Sequence, residues 1–210
     1  RFLLLSPNNL LKPSDGGPVA VPSQDMVLGI YYLTQERPGA PGEGKYFKSK
    51  NEAILAYENG VVTLHARIKV RVSRTMADGT EMTGIVETTV GRILFNEIIP
   101  QDLGFVDRTI PGNELKPEID FLVKKKQLKQ ILEKVINTHG AMQTAITLDD
   151  IKAIGYKYST RAAMTVSISD MTVPASKKQL LADAEATVDR IAKNFRRGLI
   201  TEEERYKEGI

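Results

Sequence analysis

The chain has 210 residues, of which 41% are hydrophobic and 26% charged, and its formal net charge is +3. This composition is typical of a globular chain with one large or two small domains. The absence of cysteine and the presence of only two histidines exclude disulfides, zinc–thiolate sites, thiol nucleophiles and histidine-rich metal centres. No apolar run approaches the roughly 18 residues of a membrane span, so we expect a cytoplasmic protein without membrane contact.

The first 44 residues are expected to form mainly loops and turns. Six of the ten prolines lie there, and proline lacks the amide hydrogen that helices and sheets need. One short helix is predicted from about Ser23 to Leu33, with Ser23 as its N-cap. The spacing over Gly39–Lys45 approaches that of a phosphate-binding loop, but Tyr46 replaces the magnesium-binding hydroxyl and Glu43 would repel phosphate. A Gly-Pro loop is the favoured interpretation.

A capped helix is predicted between this region and the first strand. Ser49 and Glu52 have the spacing of a capping box, in which each side chain binds the other residue's backbone amide. Gly60 follows the predicted helix over residues 49–59 and suits the left-handed conformation of a C-terminal stop.

A β-hairpin is the next predicted element. Residues 61–74 alternate with period two, so one strand face is apolar and the other, which includes His65, is polar. Four cations reinforce the polar face: Arg67, Lys69, Arg71 and Arg74. Such a row can follow a phosphate backbone, and it is also the pattern of a solvent-exposed strand face. A turn at Asp78-Gly79 and a strand over 80–90 complete the hairpin.

Two helices are predicted in the following region. An apolar stripe at helical spacing indicates the first, which Gly140 ends. The stripe comprises Leu128, Ile131, Leu132, Val135 and Ile136. His139 is expected to have a structural role there, because an imidazolium complements the dipole at a helix C-terminus. The second helix is predicted from Thr147, as N-cap, to about Ala163, followed by a short strand over 165–168.

A helical hairpin is predicted at the end of the chain. Its long arm runs from about Pro174 to Arg197, and Gly198 stops it. Apolar residues spaced alternately by three and four form a coiled-coil seam on this arm: Leu181, Ala184, Val188, Ile191 and Phe195. Thr201 and Glu204 form a second capping box, which opens a much shorter return helix. Much of the seam is therefore expected to lack a partner within the chain.

Several motifs resemble one known family. The most informative are Val21-Pro22-Ser23-Gln24-Asp25-Met26-Val27-Leu28-Gly29-Ile30-Tyr31-Tyr32 and Arg196-Arg197-Gly198-Leu199-Ile200-Thr201-Glu202-Glu203-Glu204-Arg205-Tyr206. Four shorter segments agree in the same order: 6–9, 65–70, 88–92 and 170–174. Together they closely resemble the largest catalytic subunit, β′ (beta prime), of bacterial RNA polymerase.

The resemblance implies an internal fragment of such a subunit with an α+β fold. A mixed pore-like domain with a β-hairpin and several helices is expected over 1–167. The start of the funnel domain, with a rim helical hairpin whose second helix is truncated, is expected over 168–210. In that family the aspartate-rich loop that holds the catalytic magnesium ends shortly before this segment, and the bridge helix and trigger loop lie beyond it. The fragment is therefore expected to contain no catalytic residue, bind no metal or cofactor and be inactive alone.

The resemblance also implies three groups of site residues. The group near the active centre, the RNA 3′ end and the nucleotide entrance is Ser23, Gln24 and Asp25. The group at the factor-docking rim, where transcript-cleavage and other secondary-channel factors bind, is Glu203, Arg205 and Tyr206. Nucleic-acid or subunit contacts are assigned to Arg67, Lys69 and Arg71. For the first group, simple helix capping is the alternative interpretation.

The implied parent is a DNA-directed RNA polymerase, a magnesium-dependent nucleotidyltransferase. Its expected partners are the β, α and ω subunits, the DNA template and RNA. Two alternatives remain from the residues alone. A freestanding nucleic-acid-binding module would use the basic strand, and a structural interaction domain would use the unfinished coiled coil.

Overall fold

The computed structural model describes residues 3–14, 16–75 and 79–210. Its contacts divide the chain into two units, the first ending at Met164 and the second running from Thr165 to Ile210. Helices and a small mixed sheet occur together in the first unit, which confirms the predicted α+β class. None of the helices in the described ranges has the length and apolar character needed to cross a membrane.

The regular elements follow in chain order. The first unit contains α1 (Asp25–Thr34), β1 (Tyr46–Phe47), α2 (Lys50–Glu58), β2 (Arg67–Thr75), β3 (Glu81–Thr89), α3 (Val90–Ile98) and α4 (Lys125–Ala162). The second contains α5 (Lys177–Arg196) and α6 (Glu202–Gly209). Short 3-10 turns lie at Ser6–Asn8 and Ile168–Asp170.

The three strands form a sheet in the order β1-β2-β3. β1 is parallel to β2, whereas β2 and β3 form the predicted antiparallel hairpin. Along β2 the side chains alternate, with Ile68 and Val70 fully buried and Lys69 exposed between them. Asp78 of the predicted turn lies outside the described residues, and Gly79 has a positive φ of 81°.

The core lies between the inner face of the sheet and helices α1, α3 and α4. All five members of the predicted apolar stripe on α4 are buried, which confirms that helix face. Large fully buried side chains complete this core: Ile30, Leu33, Ile68, Phe95, Ile119 and Ile151. Burying each such side chain contributes about 1.5 to 3 kcal/mol, so the three helices and the sheet stabilise one another.

Glycines bring the backbones of three helices into direct contact. A Cβ atom added to Gly29 of α1 would lie 1.8 Å from the carbonyl oxygen of Gly155 in α4. One added to Gly91 of α3 would lie 1.8 Å from the carbonyl oxygen of Leu33 in α1. Helix α1 is therefore held on two sides by contacts that leave no room for a side chain.

The predicted break at Gly140 is confirmed, but the helix after it begins earlier than predicted. Gly140 has φ 76° and ψ −175° inside α4, and helical structure continues directly beyond it. Thr147 is not an N-cap: it is buried in the helix, and its hydroxyl has no hydrogen-bond partner among the described residues. The Thr-x-x-Asp spacing does not reveal this burial.

Two smaller predictions are also wrong, and a third is only partly confirmed. No strand forms over 165–168, because no neighbouring strand is available there, and Ser167 instead caps a 3-10 turn. His65 precedes β2 and is buried rather than lying on the polar strand face. The Ser49 capping box is half formed, since Ser49 accepts from the Glu52 amide but the Glu52 carboxylate accepts from Lys48. Gly60, with φ 72°, adopts the predicted left-handed conformation.

The second unit is a short helical hairpin. Gly198 follows α5 with φ 71°, and both bonds of the predicted box between Thr201 and Glu204 form. Ile191 of the seam is 5% exposed, whereas Leu181 is 53% and Val188 57% exposed. As predicted, much of the seam has no partner among the described residues.

Candidate functional site

The N-terminal end of α1 has an unusual backbone. Gln24 has φ 48° and ψ −121°, which are the angles of the second residue of a type II′ turn. The Met26 amide donates to the Ser23 carbonyl across this turn, at 3.2 Å. Glycine normally occupies such a position, because a side chain at positive φ meets the backbone. Among the described residues, Ala163 is the only other non-glycine with positive φ.

The side chains at this turn are directed to solvent rather than used as caps. Ser23, Gln24 and Asp25 are all exposed, and α1 begins two residues later than predicted, with Gln24 at its N-cap position. The Gln24 side chain makes no capping bond. Asp25 lies in the first turn, where a carboxylate is favoured by the helix dipole. The predicted Ser23 cap is therefore wrong, and the Gln24 amide is available to an external group.

Close helix packing fixes this turn in place. The backbone contact at Gly29 and Gly155 lies little more than one helical turn beyond Gln24. A Cβ on Gly155 would also lie 2.8 Å from the carbonyl oxygen of Met26. Backbone atoms, unlike side chains, cannot move aside by changing rotamer. The contact with α4 therefore helps to fix the position of Gln24.

The other end of α1 is held by a polar network. The Thr34 hydroxyl donates to the Ile30 carbonyl at 2.9 Å and accepts from the Val123 amide at 3.0 Å. Arg92 of α3 donates to the Thr34 carbonyl at 3.3 Å and pairs with Glu36 at 3.2 Å. Charged groups that are largely buried need such partners, so this network fixes where α1 ends.

The predicted basic strand face is partly neutralised by acids from neighbouring elements. Arg67 pairs with Glu87 at 3.3 Å and with Glu36 at 3.5 Å, and Lys69 pairs with Glu87 at 3.5 Å. Glu87 lies directly opposite Lys69 in the β2–β3 register. Arg71 is exposed and has no ion pair among the described residues. The row therefore offers one uncompensated cation rather than a continuous basic track.

Arg74 does not belong to this row. Side chains alternate along β2, and Arg74 is on the same face as Ile68 and Val70, opposite to Arg67, Lys69 and Arg71. There its guanidinium donates to the Gln101 carbonyl at 2.9 Å. The prediction that it reinforces the basic face is wrong.

The proposed rim residues all lie on α6. Glu203 pairs with Lys207 at 2.9 Å, and Arg205 pairs with Glu202 while lying 5.3 Å from the centre of the Phe195 ring. Exposed pairs of this kind contribute at most about 1 kcal/mol and exchange easily for an external partner. Tyr206, the one aromatic residue of the three, is 66% exposed and accessible to a partner.

The structure does not bring the Ser23–Asp25 turn and the strand cations Arg67, Lys69 and Arg71 together. Arg67 contacts Glu36, just after the C-terminal end of α1, whereas Gln24 lies at the N-terminal end. A helix of this length separates them by about 15 Å. They form two separate surfaces of the first unit.

The described residues contain no group of three or more His, Asp or Glu side chains that could hold a metal ion. His139 lies 2.7 Å from an Asp102 carboxylate oxygen, a contact that suits the structural role expected from the sequence.

Comparison with known proteins gives one consistent result. Residues 9–171 match the family model described as RNA polymerase Rpb1, domain 3. The chain is 73% identical over 207 residues to the "DNA-directed RNA polymerase subunit beta'" of Lachnoclostridium phytofermentans, covering 99% of this chain and 16% of that protein.

Relatives of lower identity give the same match. The corresponding subunits of Caldicellulosiruptor saccharolyticus and Acetivibrio thermocellus are 58% and 56% identical over 100% of this chain and 18% of those proteins. The chain thus spans less than a fifth of the curated relatives that it matches. It belongs to the RNA polymerase Rpb1 domain 3 family and corresponds to a segment of the β′ subunit.

Proposed function

We propose that this segment acts within a DNA-directed RNA polymerase as part of the wall of the route by which nucleotides reach the active centre. The similarity to β′ subunits along nearly the whole chain carries this proposal. The parent enzyme joins nucleotides by attack of the RNA 3′ hydroxyl on an α-phosphate, with magnesium stabilising the developing charge. Its metal ligands belong to another part of the subunit, and the segment alone is inactive.

The partners of the segment follow from the same proposal. In the parent complex it works with the β, α and ω subunits, the DNA template and RNA, in the cytoplasm. Residues 1–167 correspond to the pore-like domain and 168–210 to the start of the funnel domain. Arg71, which has no ion pair among the described residues, is the best placed of the three strand cations to contact nucleic acid or another subunit.

Gln24 is the residue proposed to act closest to the chemistry. Its amide both donates and accepts hydrogen bonds without adding charge beside a site that already contains metal and phosphate. The glycine-like backbone angles support a specific role, because such strain persists where the surrounding fold enforces it and often accompanies function. Ser23 and Asp25 flank it, and Asp25 orients the backbone of the turn.

The α6 residues are proposed to dock proteins that enter the secondary channel, including transcript-cleavage factors. Tyr206 supplies exposed aromatic area, while Glu203 and Arg205 supply charges held in weak surface pairs. Aromatic residues and arginine are the side chains most often responsible for binding energy at protein interfaces.

The test replaces Gln24 in β′ within an assembled polymerase. Gln24→Ala removes the amide but keeps the side-chain carbon at positive φ, whereas Gln24→Gly removes the amide and relieves the backbone. We expect both to slow nucleotide addition or RNA cleavage by about tenfold, the value of one lost hydrogen bond to a charged group. Gln35→Ala, at the opposite end of α1, is the control and should leave both rates unchanged. Normal rates in both Gln24 variants would contradict the proposal.

A further inference from the structure

A cavity of about 190 Å³ lies between the hairpin, α3 and the loop before α4. The buried side chains of Val70, Val86 and Ile93 line it, together with Leu115. An engineered apolar cavity of about 150 Å³ is known to bind benzene, so this one has room for an apolar group the size of a benzene ring. None of the site groups assigned above contributes to its lining.

The lining is strongly biased in charge. Lys50, Arg74 and Lys116 line the cavity, and no carboxylate does so among the described residues. Lys50 and Lys116 are exposed, so the cavity opens to the surface between cations. Arg74 is partly buried, and the one hydrogen bond described for it runs to the uncharged Gln101 carbonyl.

The two acids whose charges influence Arg74 are engaged elsewhere. Glu118 is fully buried, pairs with Arg108 and accepts from the Phe105 amide at 2.7 Å. Asp102 contacts His139 at 2.7 Å. Burial lowers the pKa of Arg74, and the Arg108 charge lowers it further, although both acids partly offset these effects. The Arg74 guanidinium therefore lies in the wall without a carboxylate partner of its own.

One further polar group in the wall lacks a partner. Thr88 is 5% exposed, and its hydroxyl makes no hydrogen bond to any described residue. The side chain of Asn96, which also lines the cavity, already has partners: its nitrogen donates to the Ile119 carbonyl and its oxygen accepts from the Ile119 amide. A buried hydroxyl without a partner costs stability, and a polar ligand group can remove that cost.

We propose that this cavity binds a small amphipathic carboxylate with an aryl or branched-alkyl body. The body lies against Val70, Val86 and Ile93, and the carboxylate lies between Arg74 and Lys116. Guanidinium groups suit this contact because their planar N–H pairs match a carboxylate. A bound ligand would link the hairpin to α3, which itself touches α1 through Gly91.

Fluorobenzoate is the probe, titrated into the 210-residue chain and followed by fluorine NMR and by the methyl resonances of Val70, Val86 and Ile93. We expect saturable shifts of these methyls. Fluorobenzyl alcohol, which has the same body without the charge, should bind about tenfold more weakly. Acetate, which has the charge without the body, should leave the methyls unshifted.

Variants locate the carboxylate. Arg74→Gln should weaken binding about tenfold, and Lys116→Gln, at an exposed position that does not endanger folding, should weaken it measurably. Arg71→Gln removes the same charge from the opposite face of β2 and should leave the affinity unchanged. Equal loss in Arg71→Gln, equal binding of the alcohol, or no saturable shift of the three methyls would overturn the proposal.

Discussion

At the scale of single residues, Gln24 occupies a backbone conformation that suits glycine. In the isolated chain, Gln24→Gly should raise the free energy of unfolding by about 1 kcal/mol relative to Gln24→Ala, because only glycine relieves the strain at positive φ. Urea denaturation of the two variants measures the difference. Equal stabilities would show that the turn is unstrained, a result independent of the polymerase assays.

His65 gives the first unit a predictable dependence on pH. Its Nδ1 lies 3.1 Å from the Gln35 carbonyl, its ring packs edge-on against Tyr32 at 4.5 Å, and Nε2 has no partner among the described residues. Burial lowers the pKa of His65 below 6.5; the bond to Gln35 opposes this effect, and the Arg37 charge adds to it. The neutral ring therefore donates from Nδ1 to Gln35.

A lowered pKa means that the unfolded chain takes up a proton at a higher pH than the folded chain does. The contribution of His65 to the free energy of unfolding should therefore be constant above about pH 6.5 and be lost as the pH falls from there through the folded-state pKa. Urea midpoints at about pH 7.5 and about pH 5.5 measure this loss, and His65→Gln should reduce it. An undiminished loss in His65→Gln would assign the effect to other groups.

At the scale of helices and strands, the packing of α1 on α4 depends on two glycines. Gly29→Ala should lower the free energy of unfolding by about 3 kcal/mol, because the added Cβ would meet the Gly155 carbonyl and force the helices apart. Gly209→Ala in α6 is the matched control, since nothing lies within 4 Å of its Cβ position. Thermal or urea unfolding distinguishes the two variants, and a small effect at both would mean that the helices can separate at little cost.

The α5 seam offers a second contrast within one helix. Ile191→Ala should weaken the packing of α5 on α6 by about 2 kcal/mol or more, whereas Val188→Ala should change stability by less than about 0.5 kcal/mol. The difference follows from their exposures, 5% and 57%. NMR resonances of α6 report the effect, and similar losses for both variants would mean that Val188 is buried in solution.

The elements that the sequence predicts best are those with strong local signals. Alternation identified β2, helical spacing identified the α4 stripe, and Gly140, Gly198 and the Thr201 box marked helix ends. The failures lie where tertiary contacts decide. Thr147 has the spacing of a cap but is buried within a helix, and residues 165–168 alternate without a strand to pair with.

The candidate site was only partly accessible to sequence reasoning. The resemblance suggested Gln24 as a site residue, but its positive φ has no signal in the residue type, because glutamine rarely adopts it. The neutralising partner of Lys69 comes from the register of the next strand, which a single strand cannot reveal. Strand parity alone would have separated Arg74 from Arg67, since even and odd positions face opposite sides.

At the scale of the whole molecule, the two units are expected to fold separately. Each has its own internal packing, and the segment between α4 and α5 contains only a 3-10 turn. A chain ending at Met164 should keep the urea midpoint and the core methyl resonances of the first unit, because its core lies within that unit. A lower midpoint in the shortened chain would show that the second unit stabilises the first.

Backbone contact between α1 and its neighbours limits how this region can change over time. Where two side chains touch, a larger residue on one helix can be accommodated by a smaller one on the other. At Gly29 and Gly91 the opposing atoms are carbonyl oxygens, which no substitution can shrink. We therefore expect no second-site suppressor for alanine at either position, and any evolutionary drift of the surrounding core must leave these two sites untouched.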